Sequence, residues 1–436
     1  MPVGLIRYSP INLGRWLVWG GFALALVIAP LVFSSGSSLS LLSLMGTMMI
    51  FSLSYNMLLG QSGMLSFGHA VYSGLGAFFA IHAINLSSSG TLQVPLTLVP
   101  LVGGVAGLLF GALFGYVTTQ RSGTAFSMIS LGIVELVFAC SLMFPGFFGG
   151  EGGVSGDRVF GRPFFGISFG PQIQVYYLIA FWLFVSAVAM FALAHTPLGR
   201  IANAVRDNPE RAEFVGYDPQ RVRFLMLMLS AFFAGISGGL AAINFEIVSA
   251  ENVSAARSGA VLLFAFIGGT GIFFGPMLGA IVGVLLTVML PEFTKAWLLY
   301  LGIFFIMMVM YAPGGMASLI VMNLRLVSKG LMPRVLPAML RLAAPAVIAL
   351  IGFVMLIEMT YRLSLDAAHG TSLNLFGWNV DATSTPAWLI AISMLLVGGA
   401  FFLRLRARFW MSGRMRRPRL NATPQGDEDE HASPRP

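Results

Sequence analysis

Apolar runs of bilayer-spanning length alternate along this chain with short polar or basic joints. A helix needs about 20 apolar residues to cross the hydrocarbon core. Such runs fall at 16–34, 39–59, 64–86, 94–118, 123–144, 173–195, 221–244, 296–312, 342–361 and 386–403, with a more complex block at 258–290. The pattern predicts an all-α, polytopic membrane helix bundle. It has about eight or nine spans up to residue 312, with a re-entrant or broken helix near 258–290, and two further spans toward the C-terminus.

The most unusual stretch is 52–80, SLSYNMLLGQSGMLSFGHAVYSGLGAFFA. Gly60, Gln61, Ser62 and Gly63 interrupt it, and small residues then recur at every fourth place: Ser62, Ser66, Ala70 and Gly74. His69 stands among them. Polar, glycine-rich backbone at membrane depth is tolerated only where protein buries it or water reaches it. The stretch therefore points to the interior of a transport protein.

Placing Arg7 and Arg15 on the cytoplasmic side fixes the remaining joints by parity. Loop 145–172 lies outside, loop 196–220 inside, loop 245–257 outside and segment 313–341 inside. The block 258–290 must then begin and end outside. Its 33 residues make about 50 Å of helix, whereas two full crossings take about 40 residues. A half-helix, a turn at Gly268, Gly269, Thr270 and Gly271, and a return helix containing Gly275 and Pro276 satisfy the count. Only Arg158, Arg162, Arg257, Lys295 and Arg362 of the 25 Lys and Arg fall outside.

Glycines at 103, 107, 111 and 115, and again at 275, 279 and 283, line single helix faces. Such grooves let membrane helices approach closely.

Composition agrees with a membrane protein: 57% hydrophobic and 10% charged residues, with a mean hydropathy of +0.85. The net charge of +8 is spread over span ends, so it does not indicate nucleic acid. The single cysteine, Cys140, excludes an internal disulfide. The five histidines show no ligand spacing, so no metal is expected.

Loop 196–220 is amphipathic. Pro197 starts one helix, Asn208-Pro209 interrupts it, Pro209 opens a second, and Gly216 caps that one. Two readings are open from physics alone: a helix lying at lipid phosphates, or a docking helix for a cytoplasmic partner. Glu135 sits mid-span and should face the bundle interior beside a donor, either as packing or in a pathway. His69 has the same two readings. The external Gly149–Gly153 run is a gate, a docking surface or a disordered loop. No G-x-x-x-x-G-K-S/T sequence is present, so an ATPase, if one drives transport, is a separate chain.

Residues 60–78, GQSGMLSFGHAVYSGLGAF, closely resemble the hallmark of LivM-type permease subunits of branched-chain amino acid ABC importers, a family that includes urea and amide relatives. FSMISLGIVE (126–135), GGEGGVSG (149–156), LGRIANAVRDNPERAEFVGYDPQ (198–220), GGTGIFFGPMLGA (268–280) and YAPGGMASL (311–319) agree in order.

The resemblance implies a translocation subunit, not an enzyme, in the bacterial inner membrane with both termini cytoplasmic. It implies pairing with a second related permease, two cytoplasmic ATPases that hold ATP and Mg, and a periplasmic substrate-binding protein. It makes 196–220 the ATPase-coupling loop, through Gly199, Arg200, Ala204, Arg206, Pro209 and Gly216. It places Gly60, Gln61, Gly63, Ser66, His69, Gly74, Gly76, Glu135 and the turn of Gly268, Gly269, Gly271, Gly275 and Pro276 in the translocation pathway or its core packing, with His69 part of a packing signature. An ion-coupled transporter or channel is the alternative, and a membrane-bound enzyme a distant third. The expected domains are 1–325 (permease), 326–403 (extension) and 404–436 (a basic, lipid-facing, then acidic, disordered tail).

Overall fold

The computed structural model describes residues 13–91, 94–159, 168–365, 372–375 and 378–415. The arginine at position 7, Arg162 and the tail from 416 lie outside these residues.

The first compact unit covers residues 1–322. Its helices are α1 (Leu13–Val32), α2 (Gly36–Asn56), α3 (His69–Ser88), α4 (Val99–Thr118), α5 (Thr124–Met143), the single turn α6 (Pro145–Phe148), α7 (Gln172–His195), α8 (Pro197–Asp207), α9 (Pro209–Phe214), α10 (Pro219–Phe245), α11 (Ala255–Gly268), α12 (Gly275–Val288), the turn α13 (Leu290–Phe293), and α14 (Trp297–Tyr311). Helix α15 (Gly315–Ser328) follows α14 with a bend of 53°. Among the described residues, nine helices are long and apolar enough to cross a membrane. The polytopic all-α bundle is therefore as expected.

Two helix pairs show what the glycine periodicity does. A Cβ on Gly103 would stand 2.5 Å from the Gly235 carbonyl oxygen, and one on Gly111 2.6 Å from Ala231 Cβ. Helix α4 thus lies backbone to backbone on α10. Gly76 of α3 joins the same node, since its Cβ would be 2.6 Å from Gly235 Cα and 2.8 Å from the Gly103 carbonyl. Without a hydrophobic drive between helices in lipid, such contact supplies the dispersion that holds them. The return helix α12 repeats the device: Gly279 and Gly283 face Phe264 of α11.

Three expectations change. The recurring small residues from Ser62 to Gly74 do not form one helical face, because 63–68 are not helical and α3 begins only at His69. The segment after 312 is not a loop: Pro313 and Gly314 interrupt the helix for three residues, and the apolar sequence that follows rebuilds it as α15. Two-residue strands also occur in this helical chain. β1 (Val154–Ser155) pairs antiparallel with β2 (Ile247–Val248).

The second unit covers 323–436. Helix α16 (Met332–Leu365) and helix α17 (Thr385–Met415) pack closely, and β3 (Ser372–Leu375) pairs with β4 (Trp378–Asp381) between them. Gly352 and Gly398 make the approach possible. A Cβ on Gly352 would be 2.7 Å from the Ala391 carbonyl, and one on Gly398 2.6 Å from Ala349 N. Both helices overrun the expected spans, and 404–415, expected as the basic start of the tail, continues α17.

Candidate functional site

Helix α2 does not stop at its apolar end. It widens into a π-helical turn, Met57–Gln61, and residues 63–68 then run without helix to His69. Such turns cluster at functional positions. Gly63 has φ 68°, a conformation that side chains with a Cβ rarely adopt. Unwound backbone in a bilayer must find partners within the protein, and serines and a tyrosine supply them. Ser127 Oγ donates to the Leu65 carbonyl at 2.7 Å, and Tyr55 OH donates to the Ser66 carbonyl at 3.0 Å. Phe67 N donates to Ser130 Oγ at 3.0 Å, Gly68 N to Ser66 Oγ at 3.3 Å and Ala70 N to Ser258 Oγ at 2.9 Å. The sequence reading missed Ser127, Ser130 and Ser258. Ser127 and Ser130 lie three apart, on one helix face, and that spacing is the signal that could have found them.

Loop 196–220 folds as its sequence directs. Thr196 caps α8, accepting from Gly199 N at 3.4 Å. Asn208 caps α9, accepting from Arg211 N at 3.0 Å. Gly216, at φ 94°, ends α9, with Tyr217 N donating to the Ala212 carbonyl at 3.1 Å. Gly199 is buried where a Cβ would be 2.5 Å from the Leu193 carbonyl. Pro209 occupies the first turn of α9, while Arg200 and Ala204 are exposed.

Arg206 joins this loop to the break. Its Nη1 donates to the Gly60 carbonyl, and its stem lies against Gly63, where a Cβ would be 2.7 Å from Arg206 Cγ. Asp207 orients the guanidinium, accepting from Nε at 2.9 Å. The outermost part of the loop is apolar: Phe214 is 90% and Val215 75% exposed. The sequence reading carried Phe214 and Val215 only as helix residues.

The second break meets the first. A Cβ on Gly60 would be 3.0 Å from the Thr270 carbonyl. Gly269, at φ 99°, lies against the backbone of Gly314 and Gly315, which is the bend between α14 and α15. Gly268 contacts Gly275, Gly271 has open space around it, and Pro276 starts α12. Phe273 and Phe274 hold the turn against Trp19 and Phe191, with ring centroids 5.4 Å apart for Trp19–Phe274 and 5.1 Å for Phe191–Phe273.

His69 is fully buried. It stacks on Phe51 at 5.5 Å, and its Nε2 lies 3.0 Å from Ser54 Oγ. Its Nδ1 and the Gln61 Oε1 are buried without a described partner. Gly74 lies against Val253 and the Asn252 carbonyl.

Glu135 departs from expectation. It is exposed and not turned into the bundle. Ser127, Ser130, Val134, Val137 and Ser141 form the buried face of α5, and Glu135 projects beside it. The glycine-rich run is ordered as far as it is described: Gly149, Gly150 and Gly153 have positive φ, and β1 follows directly. Arg158 closes this region, with Nη2 3.1 Å from the Gly170 carbonyl and Nε 3.9 Å from Glu246 Oε1.

Residues 37–313 match the family described as branched-chain amino acid transport system / permease component. The chain is 28% identical over 303 residues to the high-affinity branched-chain amino acid transport system permease protein LivM of Salmonella typhimurium, covering 64% of this chain and 69% of that protein. It is 28% identical to the LivM protein of Escherichia coli over 61% of this chain and 67% of that one. It is 25% identical to the guanosine ABC transporter permease protein NupQ of Bacillus subtilis, over 41% of this chain and 59% of that protein. No solved structure matches. The matched span holds both breaks, the 196–220 loop and the glycine node, and the chain belongs to the branched-chain amino acid transport system permease component family.

Proposed function

We propose that this chain is the transmembrane permease subunit of an ATP-driven importer for branched-chain amino acids or similar small solutes. It sits in the bacterial inner membrane with both termini cytoplasmic. A second related permease, two cytoplasmic ATPases and a periplasmic binding protein complete the machine, and ATP and Mg are held by the ATPases. Residues 1–325 form the permease domain. The extension at 326–403 and the tail at 404–436 anchor the chain to lipid or to the partner permease.

The observation that carries this reading is Arg206 reaching from α8 to the Gly60 carbonyl. A loop that only rested on lipid would turn its arginines outward. Here one arginine instead grips the interrupted turn of a span, while Phe214 and Val215 face solvent as a docking tip. When the ATPases close on ATP, α8 and α9 move with them. Arg206 carries that displacement to Met57–Gln61, and Gly60 passes it to the turn at Thr270. Helices packed through glycine backbones move as rigid parts, so the access alternates.

The test is leucine uptake into proteoliposomes holding the complete importer and loaded binding protein. ATP-dependent accumulation supports the reading. Flux through this chain reconstituted without ATPases overturns it in favour of an ion-coupled carrier or channel.

A further inference from the structure

Helix α5 is held to the bundle by one side only. Phe126, Ser127, Ser130, Val134, Val137 and Ser141 are buried, and Ser127 and Ser130 bind the unwound segment at Leu65 and Phe67. The opposite side carries Glu135, which is exposed, and among the described residues none bonds to it. Glu135 is the twelfth of the 20 residues of α5. At 1.5 Å per residue its backbone stands about 16 Å from the start of the helix and about 12 Å from its end. A carboxylate on a two-carbon stem does not reach an interface from there. Ionisable groups at such depth face protein or a wet cavity rather than lipid.

The outer sides of other spans differ. The exposed residues of α4 are Val105, Leu109, Leu113, Tyr116 and Val117, and α14 exposes no charged residue either. Those surfaces suit lipid. The surface of α5 beside Glu135 is also low. Ala125, Gly132 and Ala139, seven apart and therefore on one side of the helix, are exposed, and a Cβ on Gly132 would meet nothing within 4 Å. Another helix can approach closely there, as α10 approaches α4 within this chain.

We propose that the exposed side of α5 is the seam against the second permease, and that Glu135 receives a cation or hydrogen-bond donor from it within the bilayer. A second copy of this chain fits worse. In a two-fold contact the same face meets itself, and two carboxylates, acceptors only when ionised, would oppose each other. The complement is a different chain, with small residues along one span and an Arg, Lys, His, Asn or Gln level with Glu135. Helix α5 then stands between that partner and the first break. A shift of the partner reaches residues 63–68 through Ser127 and Ser130.

This inference rests on the importer reading above. Its test uses membranes holding the complete importer, with this chain and the second permease carrying different tags. The photo-crosslinker benzoylphenylalanine replaces Leu136 on α5, Leu109 on α4 or Ile306 on α14, all exposed in this chain. Adducts with the second permease are expected at least tenfold more from position 136 than from the other two. Equal or greater yield from position 109 or 306, adducts joining two copies of this chain, or lipid adducts alone from position 136 overturn the inference. Glu135→Leu and Gly132→Trp give a second readout. Each is expected to keep the thermal midpoint of the isolated chain in detergent and to lower co-purification of the second permease at least tenfold, with Glu135→Gln losing less. Unchanged co-purification in both Glu135→Leu and Gly132→Trp overturns the inference alone. Flux through this chain without ATPases overturns the importer reading itself.

Discussion

Arg206→Met removes the link between the loop and the break while keeping an apolar stem against Gly63. The lost interaction is a hydrogen bond from a charged donor to the Gly60 carbonyl, a class worth about 1.5–3 kcal/mol. The Arg206 side chain is 40% exposed, so solvent screening places it at the low end, about 1.5 kcal/mol. That energy is about a tenfold change in an equilibrium. Asp207 sets the scale for comparison. Its pair with Arg206 is 2.9 Å long but exposed, and such pairs contribute about 0–1 kcal/mol. Asp207→Asn should therefore shift the same equilibrium by at most about fivefold. The assay is the number of leucine molecules imported per ATP hydrolysed in proteoliposomes. Arg206→Met is expected to keep hydrolysing ATP while this ratio falls about tenfold, with Asp207→Asn falling less. An unchanged ratio in Arg206→Met, or a larger loss in Asp207→Asn, refutes the reasoning.

Two further outcomes follow from packing. Gly76→Ala places a Cβ 2.6 Å from Gly235 Cα, with backbone on both sides and no flexible group to yield, so it should destabilise by about 1–3 kcal/mol. Gly132→Ala meets nothing within 4 Å and should raise the thermal midpoint in detergent slightly; equal midpoints for the two variants would contradict the node. Phe214→Ser with Val215→Ser removes side chains that touch solvent in this chain; its thermal midpoint should hold while co-purification of the ATPases falls at least tenfold, and undiminished co-purification would show that the docking tip lies elsewhere.

The spans were legible because length and apolarity are all a bilayer asks of a helix. The breaks were legible too, since Gly60 to Gly63 and Gly268 to Gly271 are residues a span otherwise avoids. Helix faces were not. In α5 most positions are apolar, and without Ser127, Ser130 and Ser141 read together as one face, Glu135 was assigned inward on cost alone. The continuation of small residues across Ser62 to Gly74 failed for a different reason. A fourfold spacing carries meaning only where the chain is helical, and residues 63–68 are tied instead to Ser127, Ser130 and Tyr55. The contact from Arg206 to Gly60 spans 146 residues of sequence. No local pattern encodes it, although the amphipathic helix and the glycine break that meet there were each visible separately.

Three interruptions in three different stretches of the chain converge: the π-helical turn at 57–61, the turn at 269–274 and the bend at 312–314. Helices are stiff along their length and yield where their hydrogen-bond ladder is missing. Three interrupted ladders in contact define a single plane of torsional compliance in the first unit. Deformation of the first unit is expected to concentrate in that plane, while α3, α4 and α10, packed backbone to backbone, stay undeformed. A spin-label pair bridging the plane should therefore show a broadened distance distribution during turnover, and one confined to the α3, α4 and α10 node a narrow one.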